Sequence, residues 1–126
     1  MSVLLVDDHP MVRASMKALL ETTEHVEVVG EATSGEEAVE KARALRPDIV
    51  IMDLAMPGMG GVQATRRITE LGLGLKVLVV TIHDEDEYLV PALDAGAAGF
   101  LKKSAADTDL IGAVERTVEG SGSGRR

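Results

Sequence analysis

The stretch DIVIMDLAMPG, residues 48–58, decides the fold. Its four consecutive apolar residues, 49–52, are typical of a strand that is buried on both faces in the middle of a parallel sheet. The apolar run ends in the carboxylate of Asp53, and Met56-Pro57-Gly58 then breaks the regular pattern. Ligands of open α/β sheets bind outside the carboxyl ends of the strands, so Asp53 is predicted to lie where a cationic partner would meet it.

Four further segments have the composition of strands, and helical patterns separate them. The predicted strands are residues 3–6, 26–32, 76–81 and 99–101. A helix-start pattern or a helical spacing of apolar residues follows each strand, beginning at Pro10, Ser34, Gly60, Asp84 and Ser104. This alternation predicts an α/β fold with helices on both faces of a parallel sheet. We expect a flavodoxin-like (βα)5 three-layer sandwich, with five parallel strands in the order 2-1-3-4-5.

Two features leave details of this fold open. Pro91 lies inside the helical segment 84–95, so that helix either kinks or begins only near Val90. Residues 120–126 have the Gly/Ser-rich composition of a flexible linker, either natural or an artificial tail. We therefore expect one domain over residues 1–119.

Composition excludes several classes of protein. The chain has 126 residues, of which 45% are hydrophobic, and this suits one compact domain. It has no cysteine, which excludes disulfides and thiolate metal sites. The formal charge of −8 predicts poor binding to nucleic acid, because phosphates would be repelled. The sequence has no apolar run of transmembrane length, and its start lacks the basic region of a signal peptide, so we expect a cytoplasmic protein that does not bind a membrane.

The expected strand order brings three carboxylates to one rim of the sheet, those of Asp7, Asp8 and Asp53. Carboxylates this close repel one another, and a hard divalent cation such as Mg²⁺ resolves the repulsion while keeping waters that a phosphoryl group can replace. Asp53 is then a candidate nucleophile, because aspartyl phosphates are an established covalent intermediate. A hydroxyl from Thr81 and a lysine from the end of the fifth strand would lie at the next rim positions.

The sequence resembles the receiver domain of bacterial two-component response regulators over roughly residues 2–119. The resemblance is carried by VDDH at 6–9, MDLAMPG at 52–58, VT at 80–81 and GFLKK at 99–103. The DDHP opening and the AGAAGFLKK stretch are similar to the subclass in which the receiver precedes a LuxR-type helix-turn-helix.

The resemblance implies a role for each acidic position. Asp53 would be the phosphoacceptor, taking phosphate from the phosphohistidine of a sensor histidine kinase. Asp8, Asp53 and the backbone carbonyl of Ala55 would ligate Mg²⁺ directly, and Asp7 would act on the metal largely through water.

The resemblance also implies roles for three residues near the other strand ends. Thr81 would contact the phosphoryl group and move toward it on activation, and Phe100 would be a switch aromatic that changes rotamer. Lys103 would pair with a phosphoryl oxygen; it is preferred over Lys102 because the family's lysine lies three residues after the aromatic. Ser104 stands where many receivers have a proline after a cis bond, so the geometry of the peptide bond before it is left open.

The function implied is a phosphorylation-dependent switch with no catalysis beyond self-phosphorylation from a phosphodonor and slow autodephosphorylation. It would regulate transcription through a C-terminal DNA-binding output domain that is absent from this chain, and DNA would be bound only by that domain. The alternative is a stand-alone receiver that acts through protein contacts. A phosphorylation-dependent homodimer, formed by the first and last helices, is the expected assembly.

Other readings of the same residues are less consistent with the sequence. A haloacid-dehalogenase-like phosphatase needs a second acid two residues after its nucleophile, where this chain has Ala55. A dinucleotide-binding domain needs glycines after the first strand, where Asp7-Asp8-His9-Pro10 stand instead. A purely structural flavodoxin-like domain would leave Asp53 unphosphorylated. His9 and His83 are expected to face solvent.

Overall fold

The structure is a computed structural model that describes residues 1–54, 56, 58–82 and 86–123, with the backbone alone described for 86–88, 107 and 120–123. Its strands are β1 (Ser2–Val6), β2 (Glu27–Ala32), β3 (Ile49–Met52), β4 (Lys76–Thr81) and β5 (Gly99–Lys102). Its helices are α1 (Pro10–Leu20), α2 (Gly35–Leu45), α3 (Gly61–Glu70), α4 (Asp86–Asp94) and α5 (Ala106–Ser123), with a 3₁₀ turn at Lys103–Ala105.

The five strands form one sheet in the order β2-β1-β3-β4-β5, and every neighbouring pair is parallel. The predicted flavodoxin-like sandwich and its strand order are therefore confirmed. In the register, Val6 lies opposite Met52, and Met52 lies opposite Val79. Asp7 and Asp53 each follow one of these paired residues, so the register places the two carboxylates side by side at the carboxyl rim.

Side chains alternate between the two faces of the sheet, and each face has its own apolar core. Helices α1 and α5 cover one face, through Met16, Leu20, Leu110, Ala113 and Val114 packed on Val3, Leu5, Ile49, Ile51, Leu78, Val80 and Leu101. Helices α2, α3 and α4 cover the other face, through Ala38, Ala42, Ala64, Ile68 and Ala92 packed on Leu4, Val6, Val50, Met52, Val77 and Val79. Nearly the whole core is aliphatic, as the aromatic content of 2% requires.

Helix α2 begins at the predicted N-cap. The Ser34 hydroxyl accepts a hydrogen bond from the backbone N–H of Glu37 at 3.2 Å. The Glu37 carboxylate accepts from the N–H of Thr33 at 2.7 Å, one residue before the position expected for a capping box. A Cβ at Gly35 would lie 2.3 Å from the carbonyl oxygen of Met59, so the helix start packs directly on the loop after β3.

Two predicted helix starts are corrected. Ser104 does not cap the last helix, because residues 103–105 form a 3₁₀ turn and α5 begins only at Ala106. The proposed start near Val90 is also wrong: α4 already runs from Asp86, with Pro91 in its interior, while residues 84 and 85 lie outside the described part of the chain.

The last helix and the peptide bonds add two observations. The bounds of α5 include the backbone of residues 120–123, which the sequence assigns to a linker or tail, so a boundary after residue 119 stays a prediction. Every peptide bond between described residues is trans, including the bond between Lys103 and Ser104.

Among the described helices, none is both long and apolar enough to cross a membrane.

Candidate functional site

An acidic cluster occupies the carboxyl rim of the sheet where β1 and β3 end. It consists of Asp7, Asp8, His9 and Asp53, and each offers a ligand atom within 4.8 Å of those of the others. The backbone N–H of Asp53 donates to the carbonyl of Val6 at 3.0 Å, which extends the β1–β3 pairing by one step into the cluster. The three predicted carboxylates are therefore brought together by the strand register.

Burial makes this cluster electrostatically unfavourable without a cation. Asp7 and Asp53 are buried, while Asp8 is partly exposed to solvent. Buried carboxylates lose the hydration of their charge, and neighbouring carboxylates repel each other. A cationic group beside these carboxylates would offset their mutual repulsion.

Lys103 supplies one such cation. Its Nζ lies 2.9 Å from Oδ2 of Asp7 and 3.4 Å from Oδ1 of Asp53. Burial by itself lowers the pKa of Lys103, but the hydrogen bond to Asp7 and the charges of both carboxylates outweigh it, so the pKa is raised above the ordinary lysine value. The group therefore stays an ammonium ion at neutral pH.

The route by which Lys103 reaches the cluster differs from the prediction. A lysine from the end of the fifth strand was expected at the rim, yet Lys103 lies in the 3₁₀ turn after β5, and Lys102 is the exposed last residue of the strand. The 3₁₀ turn, rather than the strand itself, brings the Lys103 side chain over the rim.

His9 combines exposure with contact to the cluster. Its side chain is 65% exposed, as expected for a solvent-facing histidine. Its backbone N–H nevertheless donates to Oδ1 of Asp7 at 2.8 Å, and its ring Nδ1 lies 3.1 Å from Oδ1 of Asp8. His9 thus closes the turn that carries the acidic pair, whereas His83 lies outside the described residues.

Arg13 is a site residue that the sequence reasoning missed. Its Nη1 donates to the backbone carbonyl of Asp7 at 2.7 Å, and its Nε lies 2.9 Å from Oε1 of Glu31. The only sequence signal is its place one helical turn after His9, and an arginine there is usually solvent-exposed. A long side chain that folds back onto a backbone carbonyl leaves no pattern in the sequence.

Thr81 and Phe100 lie on the neighbouring strands. Thr81 is buried at the end of β4, opposite Lys102 of β5, and one residue beyond the position that aligns with Asp53. Phe100 is partly buried and packs against the core under α2, α3 and α4. Ala55, whose carbonyl was predicted as a metal ligand, lies outside the described residues.

Gly61 sets how closely α3 approaches Asp53. A Cβ at residue 61 would lie 2.2 Å from the carbonyl oxygen of Asp53, a distance that no side chain tolerates. The N–H of Gly61 donates to the carbonyl of Leu54 at 3.1 Å. Glycine at position 61 therefore permits a tight contact between the start of α3 and the end of β3.

The donor set fits a hard metal ion. Three carboxylates from two adjacent strand ends supply oxygen ligands, which Mg²⁺ and Ca²⁺ prefer, and partly exposed Asp8 and His9 leave the cluster open to solvent. The cluster can hold a metal ion whose charge offsets the repulsion among its carboxylates.

Comparison with known proteins agrees with this geometry. The family model described as the response regulator receiver domain matches residues 3–115. The response regulator UvrY of Escherichia coli (strain CFT073) is 43% identical over 119 residues; the match takes in 94% of this chain and 55% of UvrY, so the chain spans little more than half of that relative.

Solved structures show the same fold. A LuxR-family two-component response regulator from Aurantimonas sp. SI85-9A1 is 39% identical with a TM-score of 0.90, over 94% of this chain and 85% of that one. The signal receiver domain of the putative response regulator NarL from Mycobacterium tuberculosis is 38% identical with a TM-score of 0.90, over 94% and 96% of the two chains. The chain therefore belongs to the response regulator receiver domain family.

Proposed function

We propose that this chain is a phosphorylation-dependent switch in which Asp53 accepts a phosphoryl group from the phosphohistidine of a sensor histidine kinase. The observation that carries the proposal is the contact of the Lys103 ammonium with two buried carboxylates, those of Asp7 and Asp53, beside a third acid. A purely structural domain has no reason to bury this charge set at one rim.

The proposed reaction is a displacement at phosphorus. An Asp53 carboxylate oxygen forms a bond to phosphorus while the phosphorus–nitrogen bond of the phosphohistidine breaks. The electron pair of that bond returns to the imidazole nitrogen, and the product is an aspartyl phosphate. Because Asp53 is buried and bonded through its backbone to Val6, its carboxylate is held in one place for this attack.

We propose Mg²⁺ as the metal, held by Asp8, Asp53 and the backbone carbonyl of Ala55, with Asp7 acting largely through water. When bound, Mg²⁺ would neutralise negative charge on the phosphoryl oxygens and on the carboxylates.

Three further residues would respond to the phosphoryl group. The Lys103 ammonium, which now contacts Asp7 and Asp53, would pair with a phosphoryl oxygen. The Thr81 hydroxyl would donate a hydrogen bond to another oxygen, moving toward it. Phe100, which is only partly buried, would change rotamer and so alter the surface at β5.

The chemistry of the chain itself would be limited. It would phosphorylate itself from a phosphodonor and lose the phosphate slowly, and it would turn over no other substrate. We place this reaction in the cytoplasm, where a sensor kinase presents its phosphohistidine.

We propose that the switch regulates transcription through a C-terminal DNA-binding output domain. UvrY is about twice as long as the matched segment, and a LuxR-family regulator shares the fold. The charge of −8 argues against DNA binding by the receiver itself, so contact with DNA would need the output domain. In this arrangement residues 1–119 are the receiver and 120–126 the linker.

We also propose that phosphorylation promotes a homodimer through α1 and α5. The two helices pack side by side, and between them lies a groove of about 300 Å³ that is lined largely by apolar side chains. Met11 at the edge of this groove is 83% exposed, which is unusual for a large apolar residue.

Intact-mass spectrometry tests the proposed reaction. The protein is incubated with Mg²⁺ and acetyl phosphate, and beryllofluoride binding is titrated in parallel. The expected result is a Mg²⁺-dependent phosphoryl adduct and saturable beryllofluoride binding in the wild type, both lost in Asp53→Asn. Asp109→Asn, which removes an exposed carboxylate on α5, is the matched control and should behave as the wild type. An adduct that persists in Asp53→Asn would contradict the assignment.

A further inference from the structure

We infer that Arg13 is a positioning residue for the acidic cluster: it fixes the peptide group between Asp7 and Asp8 and thereby sets where the Asp8 carboxylate lies. The inference rests on the proposed function, because it concerns the same metal-binding carboxylates. It assigns a task to a residue that touches no carboxylate of the cluster in the contacts described for it.

The carbonyl of Asp7 lies where the hydrogen bonds between β1 and β2 end. The N–H of Asp7 donates to the carbonyl of Ala32 at 3.1 Å, and Ala32 is the last residue of β2. Beyond this point β2 supplies no further backbone donor to Asp7. Nη1 of Arg13 takes over at 2.7 Å, so the guanidinium satisfies a carbonyl that the sheet leaves open.

Arg13 is itself held in place from β2. Its Nε lies 2.9 Å from Oε1 of Glu31, and its side chain is only 17% exposed. Lys17 lies 3.5 Å from the other oxygen of Glu31. The hydrogen bond from Arg13 is the main cause that holds the pKa of Glu31 below its usual value, against a smaller opposing effect of burial. The guanidinium thus bridges two fixed acceptors.

Both sides of the acidic turn are fixed as a result. Oδ1 of Asp7 accepts from the N–H of His9 at 2.8 Å, and the carbonyl of Asp7 accepts from Arg13 at 2.7 Å. The peptide that links Asp7 to Asp8 cannot rotate without breaking the bond to Arg13. The orientation of this peptide, together with the contact of Asp8 Oδ1 with the His9 ring at 3.1 Å, aims the partly exposed Asp8 carboxylate at the cluster.

A positioning role and a simple charge effect predict opposite changes in Mg²⁺ affinity when Arg13 is replaced by alanine. Removing a cation next to a metal site lowers electrostatic repulsion and should tighten Mg²⁺ binding. Removing a positioning contact should weaken it, since groups that orient metal ligands typically contribute about 10–100-fold in affinity. The direction of the change therefore separates the two explanations.

The first measurement is calorimetric titration of the purified chain with Mg²⁺. Arg13→Ala is expected to weaken Mg²⁺ binding by about 10-fold or more. Lys17→Ala is the matched control. Lys17 lies on the same helix as Arg13, carries the same charge and also contacts Glu31, but its described contacts do not include the Asp7 carbonyl. This variant should bind Mg²⁺ as tightly as the wild type or slightly more tightly. Arg13→Lys keeps the positive charge but cannot make both guanidinium contacts at once, so its Mg²⁺ affinity should lie between those of the wild type and Arg13→Ala.

The second measurement needs no metal. Amide hydrogen exchange of the His9 N–H, followed by NMR in the metal-free protein, reports the closure of the turn. Exchange should be faster in Arg13→Ala and unchanged in Lys17→Ala. Thermal unfolding shows that the variants are folded, and Arg13→Lys supplies the comparison if Arg13→Ala is not.

The outcomes separate this inference from the proposed function. Mg²⁺ binding that is unchanged or tighter in Arg13→Ala overturns the inference, as does unchanged exchange of the His9 N–H. A wild-type protein that binds no Mg²⁺ overturns the proposed function instead, and the exchange measurement then decides alone whether Arg13 fixes the turn.

Discussion

At the scale of single residues, the rim depends on a balance between one ammonium and three carboxylates. Lys103 contacts Asp7 at 2.9 Å and Asp53 at 3.4 Å, and both acids are buried. Because an unpaired buried carboxylate is strongly destabilising, this lysine stabilises the metal-free fold as well as serving the proposed reaction.

Replacing Lys103 by methionine should lower the free energy of unfolding in metal-free buffer. We expect a loss of at least about 1.5 kcal/mol, the value for a hydrogen bond that involves a charged group. The pKa of Lys103 is raised in the folded state, so its contribution is complete below the ordinary lysine pKa, about 10.4, and is lost as the pH rises through the folded-state value. Denaturant unfolding of wild type and Lys103→Met should therefore differ by a constant amount at neutral pH, and the difference should shrink in strong alkali.

Lys102→Met serves as the control for that measurement, because the neighbouring lysine is exposed at the end of β5. It should leave the free energy of unfolding nearly unchanged. A loss in Lys102→Met as large as in Lys103→Met would contradict the assignment of Lys103 to the rim.

Some site residues could be predicted from sequence and others could not. Asp7, Asp8 and Asp53 were predictable, because an apolar run that ends in a carboxylate marks a strand end and strand ends of a parallel sheet meet at one rim. Arg13 was not predictable, because its partner is a backbone carbonyl and every residue has one. The 3₁₀ turn that carries Lys103 was also missed, since its sequence resembles an ordinary helix start.

At the scale of elements, α4 contains an interior proline. Pro91 lies five residues after the start of the helix and lacks the N–H that would donate to the carbonyl of residue 87. The helix buries Ala92 but exposes half of Val90 and of Leu93. Its local stability should therefore be low compared with the other helices.

Replacing Pro91 by alanine should restore this donor and stabilise the helix. The expected gain in free energy of unfolding is about 2 kcal/mol. This is the cost of a proline in a helix interior minus the stabilisation that proline gives by restricting the unfolded chain. Amide exchange across residues 89–95 should slow. The matched control is Val90→Ala, an exposed neighbour that changes helix propensity without adding a donor.

Identical protection in Pro91→Ala and wild type would show that the proline does not govern the opening of α4. Equal slowing in Val90→Ala would assign the effect to helix propensity alone.

At the scale of the whole molecule, strand order was predictable while some helix boundaries were not. Alternating strands and helices with right-handed crossovers leave few possible sheets, and 2-1-3-4-5 was among them. Helix ends depend on one or two hydrogen bonds each. Ser34 makes the predicted cap, whereas the similar pattern at Ser104 falls inside a 3₁₀ turn.

An apolar groove lies between α1 and α5, and in the proposed homodimer a second copy of the chain would cover it. Beryllofluoride with Mg²⁺ should shift the sedimentation of the protein from monomer toward dimer. Met11→Asp, which places a charge at the edge of the groove, should weaken this shift by about 10-fold or more, because a buried charge without a partner opposes association.

Val90→Asp is the control for the dimer, since Val90 is exposed on α4, which packs against the opposite face of the sheet. It should dimerise as the wild type does. A sedimentation mass that does not change with beryllofluoride would count against the proposed homodimer. Loss of the dimer in Val90→Asp but not in Met11→Asp would place the contact on α4 instead.

The contact between Gly61 and the Asp53 carbonyl has an evolutionary consequence. It depends on the approach of α3 to the end of β3 and not on the acid that Asp53 carries, since the carbonyl belongs to the backbone. A descendant of this chain that had lost the proposed phosphoacceptor would be free to change the acidic residues but not this glycine. Glycine at position 61 would therefore record shared ancestry of the fold after every trace of the chemistry had gone.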